Sequence, residues 1–207
     1  MTTAVDTNVL TVPEAAAQRR SIRGYAPDPI SRADLDAIFE VVRLAPSAFN
    51  AQPWRFVVVE DEALKARLAA AANDQRQVHS APAVIVLYTD MAEVVDTAEE
   101  IVHPGMDAAR RAAEANGFRR RFGSKSEADR EAWGAGQGYI ALGYLLLAAE
   151  SHGYQTSPML GFDPTAVKGL LDLPSHVRIP ALVAIGKGTE PGFPHHRHPV
   201  ERIVRYE

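Results

Sequence analysis

Three short apolar runs most constrain how this chain folds. They are Phe56-Val57-Val58-Val59, Ala83-Val84-Ile85-Val86-Leu87-Tyr88 and Ala181 to Ile185, and each reads as a buried strand. The stretches between them are unequal in length and dominated by helical patterns, so strand and helix do not alternate in a regular βαβ series. The expectation is an α+β domain with one small sheet and more helix than strand. Thr11 with Glu14 forms a capping box and Pro13 suits a first helical turn, so a helix runs to about Arg20. Ser31 caps a second helix whose buried face is Leu35, Ile38, Phe39 and Val42, ending before Pro46. Asp61 starts a third, to about Ala72. Glu127 to His152 reads as the longest helix, closed by Gly153. A short strand is expected at Tyr154 to Thr156. Asp163-Pro164 opens a helix to about Leu171, and β character returns at Arg202 to Tyr206. Residues 90–125 are charged and poorly periodic, and predict helix and mobile loop.

The 207 residues show no repeat, no low-complexity tract and no linker, so residues 1–207 are expected to form a single domain. Net charge is -4, which argues against a broad nucleic-acid or anionic-membrane footprint. The basic residues near the N-terminus then belong to a local pocket rather than a surface field. Cysteine is absent, which removes disulfides, thiolate nucleophiles, iron–sulfur clusters and thiolate zinc sites together. Residues 1–18 lack a charged start followed by an apolar core, so no signal peptide is expected. The apolar stretch from Tyr139 to Ala149 is too short for a bilayer, which needs roughly 20 residues. These features predict a soluble cytoplasmic protein.

Two segments carry the chemistry. Arg19-Arg20-Ser21-Ile22-Arg23 places three guanidiniums and a hydroxyl together at the end of a helix. A guanidinium fork matches phosphate oxygens in a bidentate way, and an extended backbone aims residues 19, 21 and 23 to one side. A solvated helix end accounts for the same charges equally well. Pro46-Ser47-Ala48-Phe49-Asn50-Ala51-Gln52-Pro53-Trp54 has prolines at both ends and amides between them. Amides on a rigid loop suit the polar edge of a flavin or pterin, although a helix stop followed by the start of a strand has the same composition.

The long helix contains Gly134, Gly136, Gly138 and Gly143. No strand precedes them and their spacing is not a dinucleotide fingerprint. Glycine inside a helix costs roughly 1 kcal/mol relative to alanine, which points to close approach of another backbone. Gly134 and Gly138 form such a groove, for a partner subunit or for packing within the chain. His195-His196-Arg197-His198 lacks a helical His pair or a carboxylate set, so no metal site is expected, and Arg197 fits a second phosphate contact. No Ser-His-Asp triad, phosphate-binding loop with lysine or paired carboxylates can be picked out.

Taken in order, Arg19-Arg20-Ser21-Ile22-Arg23-Gly24-Tyr25, Ala45-Pro46-Ser47-Ala48-Phe49-Asn50-Ala51-Gln52-Pro53-Trp54-Arg55-Phe56, Pro158-Met159-Leu160-Gly161-Phe162-Asp163-Pro164 and a closing basic-x-Arg-x-Pro resemble the nitroreductase family of flavin enzymes. The resemblance runs from about Pro13 to Val204. It implies a nitroreductase-like α+β fold with a small mixed sheet flanked by helices. It also implies an intertwined homodimer with two FMN molecules at the subunit interface. Carried over residue by residue, Arg19, Arg20, Ser21 and Arg23 hold FMN from one subunit, and Pro46, Ser47, Ala48 and Asn50 reach it from the other. Asn73 and Arg76 correspond to the pair at the pyrimidine edge. Pro158, Leu160 and Gly161 lie along the isoalloxazine, and Arg197 completes the phosphate clamp. His195 stands where lysine is frequent, and Leu160 where an acid is frequent. Residues 100–130 align with nothing and are expected to shape the substrate pocket, with Phe122 or Trp133 as lid aromatics.

The implied function is an FMN-dependent oxidoreductase. It takes hydride from NADH or NADPH and passes electrons to a nitroaromatic, quinone or similar acceptor by ping-pong exchange, with no protein nucleophile. The alternatives are a desaturase, dehalogenase or flavin-destroying enzyme on the same scaffold, and a non-catalytic FMN-binding protein. Neither nucleic acid nor membrane is an expected partner.

Overall fold

The computed structural model describes residues 9–207; expectations that touch residues 1–8 lie outside the described residues. The first helix, α1, spans Val12–Gln18, and the Glu14 carboxylate accepts from the Thr11 amide and hydroxyl as the capping box requires. Helix α2 (Arg32–Val42) begins where Ser31 Oγ accepts from the Asp34 amide. Strand β1 (Trp54–Val59) follows, then α3 (Glu62–Ala71), α4 (Arg76–Ser80) and β2 (Ala83–Thr89). Helices α5 (Met91–Asp96), α6 (Ala108–Gly123) and α7 (Glu127–Ser151) come next. The chain then forms β3 (Gln155–Met159), α8 (Pro164–Leu170), β4 (Arg178–Gly186) and α9 (Val200–Ile203).

The four strands form one sheet in the order β1-β2-β4-β3, with every neighbour antiparallel. Where a mixed sheet was expected, parallel pairing is confined to an isolated bridge from Ser21 to Thr156 beyond the β3 edge. The central strands are apolar on both faces because both are covered. Ala83, Ile85, Leu87, Ala181, Val183 and Ile185 pack against α2 and α7. Val84, Val86, Leu182 and Ala184 pack on the opposite face with Leu68 of α3, Val78 of α4, Val167 of α8 and Ile22. A third cluster joins α5 and α6 through Met91, Val94, Phe118 and Phe122. Burying each such side chain contributes about 1.5–3 kcal/mol. Among the described residues no helix is long and apolar enough to cross a membrane.

Two boundaries differ from the sequence reading, each for a local reason. Strand β3 runs on to Met159 through Pro158, because an edge strand tolerates the missing proline donor. The helix expected within residues 90–125 is realised as α5 and α6; Arg119 of α6 pairs with Glu99, whose carboxyl this hydrogen bond holds down at about 2. The β character read at Arg202 to Tyr206 is not realised as a strand. The chain there makes a four-residue helix and then an exposed end that pairs with no strand among the described residues.

The glycines of α7 divide by face. A Cβ at Gly134 would stand 2.5 Å from Met91 Cγ, and one at Gly138 would stand 2.8 Å from Thr89 Cγ2 and 3.0 Å from Pro180 Cγ. Both therefore serve intrachain packing of α7, Gly134 against α5 and Gly138 against the sheet, which answers the question the sequence left open. Gly136 and Gly143 face open space. Gly138→Ala is expected to destabilise the fold by about 1–3 kcal/mol through overpacking, although alanine is the better helix former; thermal and urea unfolding measure the sign. A second test concerns Tyr154, whose hydroxyl donates to Asp34 Oδ2 at 2.7 Å. That bond, with a second from Ser31, holds the Asp34 carboxyl below its usual range. Burial and the same bond push the Tyr154 phenol up to about 12. Tyr154→Phe is expected to cost about 1–2 kcal/mol near neutral pH. The cost should shrink below about pH 4, since stability from a depressed carboxylate is lost as pH falls through its folded value.

Candidate functional site

At the C-terminal end of α1 the helix leaves carbonyls without intrahelical partners. Arg20 supplies them: its Nη1 donates to the carbonyls of Ala17 at 2.7 Å, Gln18 at 2.9 Å and Arg19 at 3.0 Å. The same nitrogen lies 2.6 Å from His195 Nε2. Arg20 therefore terminates α1 and ties it to the C-terminal segment. The extended backbone after α1 pairs at Ser21 with Thr156. Arg19, Arg20, Ser21 and Arg23 then line one small cavity, of about 170 Å³, with Phe193, His195 and Arg197.

The charge pattern of this cavity is that of an anion site. Arg19 Nη1 is buried without a hydrogen-bond partner. Burial, and next the charge of Arg197, push the Arg19 guanidinium below its ordinary value, opposed by the carboxylate of Glu150. Glu150 is itself buried at the end of α7; burial pushes its carboxyl up, opposed first by Arg19. An unpartnered guanidinium N–H beside a second guanidinium and a serine hydroxyl fits a phosphate group, which supplies oxygens and negative charge together.

A second group adjoins the first along the β3 edge. The Arg23 amide donates to Glu190 Oε1 at 2.9 Å, and Glu190 Oε2 lies 3.7 Å from Arg76 Nη1. Arg76 lies over Gly24, where a Cβ would stand 2.8 Å from its Nη2. Asn73 and Asp74 adopt positive φ in the turn after α3. That turn lets Asn73 Nδ2 donate to the Gly161 carbonyl at 3.0 Å, joined by Gln75 Nε2 at 2.9 Å. Pro158 lies in β3, and Leu160 just beyond it is exposed. Arg19, Ser21, Arg23, Asn73, Arg76, Pro158, Leu160, Gly161 and Arg197 thus gather at one edge of the sheet and its adjoining loops.

The segment Pro46 to Asn50 lies elsewhere, in the connection leading into β1 at the opposite edge. Four strand spacings, roughly 19 Å, separate the Ser21 backbone from β1 across the sheet. The Ala48 amide donates to Gln137 Oε1 of α7 at 2.9 Å, Ser47 Oγ accepts from the Gln52 amide, and Asn50 Nδ2 donates to the Ile101 carbonyl. Phe49, Asn50 and Gln52 take positive φ, the tight path that turns the chain into the strand. Phe49 is half exposed and packs edge-on to Phe118 and Phe122, with Arg121 5.2 Å over its ring. Phe49 and Asn50 line a larger cavity of about 580 Å³ with Ile101, His103, Phe118 and Arg121.

Phe122 does not stand in this cavity as a lid. It is buried, 4.6 Å from the Trp133 ring, and forms part of the third core cluster. Phe49 is the aromatic offered to the opening. Sequence reasoning also missed Glu150, Glu190, Gln75 and Gln137. One of these carried a signal: an acid in the last turn of a helix opposes the helix dipole and so calls for a cationic partner.

Comparison with known proteins follows the same lines. Residues 16–187 match the family model described as the Nitroreductase family. The chain is 48% identical over 196 residues to a protein of Thermus thermophilus named NADH dehydrogenase, covering 95% of this chain and 96% of that one. It is 32% identical over 200 residues to YdgI of Bacillus subtilis, a candidate NAD(P)H nitroreductase, covering 91% and 94%. Among solved structures, a candidate nitroreductase of Exiguobacterium sibiricum in complex with FMN superposes with a TM-score of 0.87 at 30% identity, covering 96% of this chain and 98% of that one.

Proposed function

Because this chain belongs to the nitroreductase family, we propose that it is an FMN-dependent oxidoreductase carrying electron pairs from NADH or NADPH to a nitroaromatic, quinone or similar acceptor. The observation that carries the cofactor reading is the buried, unpartnered Arg19 Nη1 beside Arg197. FMN, when bound, supplies the acceptance and release of hydride at the flavin ring. Arg19, Ser21 and Arg197 hold its phosphate, and Arg20 fixes the helix end on which they stand. Arg23 and Arg76, linked through Glu190, bring positive charge to the side of the site where Asn73 orients the Gly161 loop. Positive charge held there without rearrangement favours the more anionic reduced state. No side chain is needed as a nucleophile.

Two copies are required in this reading. Pro46, Ser47, Ala48 and Asn50 lie across the sheet from the arginine cavity, so a second chain presents them. The outward face of α7 supports such a pairing. Gly136, Tyr139, Ile140, Gly143 and Tyr144 recur at helical spacing and remain exposed, an apolar stripe with gaps for a close neighbour. A cytoplasmic setting suits a cysteine-free chain that uses reduced pyridine nucleotide.

The purified protein is expected to be yellow, or to become so with added FMN, and to bleach with NADH or NADPH under anaerobic conditions. A colourless chain that ignores FMN overturns the reading. Arg19→Ala is expected to weaken FMN binding by about 1.5–3 kcal/mol, the worth of one charge-assisted contact, read by flavin fluorescence. Light scattering is expected to report a dimer, and Ile140→Glu to yield monomers with flavin lost in parallel; a monomer that retains FMN removes the two-chain arrangement.

A further inference from the structure

A second charged group lies in the interior, apart from the arginine cavity. Asp90 follows β2 and caps α5, its Oδ1 accepting from the Glu93 amide at 2.9 Å. The same oxygen lies 2.9 Å from Nε2 of His176, in the loop before β4. Glu131 projects from α7 and is wholly buried. Its Oε2 accepts from the Met91 amide at 3.1 Å, while its Oε1 is buried with no hydrogen-bond partner. Arg130 Nε, 3.6 Å from Oε1, is likewise unpartnered, so the two do not satisfy each other. A buried carboxylate oxygen left unmatched costs more than one made whole.

One ligand atom from each of Asp90, Glu131 and His176 lies within 4.8 Å of the other two. Donors bound to one ion at ~2.0–2.2 Å stand roughly 3–4 Å apart, so modest side-chain motion brings all three to a common centre. A cavity of about 220 Å³ opens beside them, bordered by Glu127, Lys168, Ser175 and Arg178, with room for water at a remaining position. We propose that Asp90, Glu131 and His176 form a zinc-class divalent-cation site, closed by three protein donors and open at one position to this cavity. Two carboxylates balance the ion's charge, and an imidazole nitrogen favours zinc over magnesium, which prefers oxygen donors in octahedral array. Arg130, Lys168 and Arg178 oppose a cation and weaken its binding. The bound ion would clasp the β2–α5 junction to α7 and to the start of β4. These three positions share no sequence spacing, which is why no ligand pattern announces them.

The test is calorimetric titration of the full chain, freed of metal by chelation, with zinc chloride. One ion per chain, a raised melting temperature, and loss of roughly tenfold or more in affinity in both Glu131→Gln and His176→Asn are expected. Failure of saturable binding at millimolar zinc overturns the proposal. So does unaltered affinity in the variants, which would place the ion on exposed histidines such as His195, His196 and His198. Should Glu131→Gln not fold, His176→Asn, at a half-buried position, decides the matter alone.

Discussion

Helix α7 packs against α5 and the sheet more closely than a side chain at two of its positions would allow. Gly134 and Gly138, one turn apart, leave Met91, Thr89 and Pro180 in contact with helix backbone. That close approach sets where every other projection of the helix arrives. Gln137 reaches the Ala48 amide, the charge of Glu150 acts on Arg19, and Glu131 meets the Met91 amide. Gln137 and Glu150 are roughly 20 Å apart along the axis, so a single rigid element supports both groups of candidate cofactor contacts. The glycines that cost helix propensity are thus offset by tertiary packing.

The anion cavity shows how clustered charge is made tolerable. Four arginines converge near the end of α1, and one of them is taken out of competition by capping helix carbonyls. The charge of Glu150 partly balances Arg19. The remaining imbalance is positive and partly dry. In the proposed reading, the phosphate of FMN meets that imbalance.

Much of this arrangement was legible in the sequence wherever the signal was local. Capping at Thr11, Ser31, Asp61 and Asp163 marks real helix starts, and the apolar runs mark the central strands. At Arg19 to Arg23 the sequence left a solvated helix end and an extended segment open, and the bridge from Ser21 to Thr156 realises the extended one. What could not be read was non-local. Pro158 belongs to a strand because that strand is an edge. Helix α4 is too short to show a period. Phe122 is core because α5 and Trp133 of α7 pack over it. Glu190 and Gln75 matter only through what the fold places beside them, and the segment after β4 pairs at Gly188 with Tyr25, distant in sequence, rather than at Arg202 to Tyr206.

The third hydrophobic cluster has its own consequence. Helices α5 and α6 pack around Phe118 and Phe122 in a core distinct from the two that sandwich the sheet. Residues such as His103 and Arg121, which border the larger cavity, ride on this separate module. Substitutions there reshape the larger cavity and the loop bearing Phe49 and Asn50, while the arginine cavity at the far edge, built on other elements, keeps its lining.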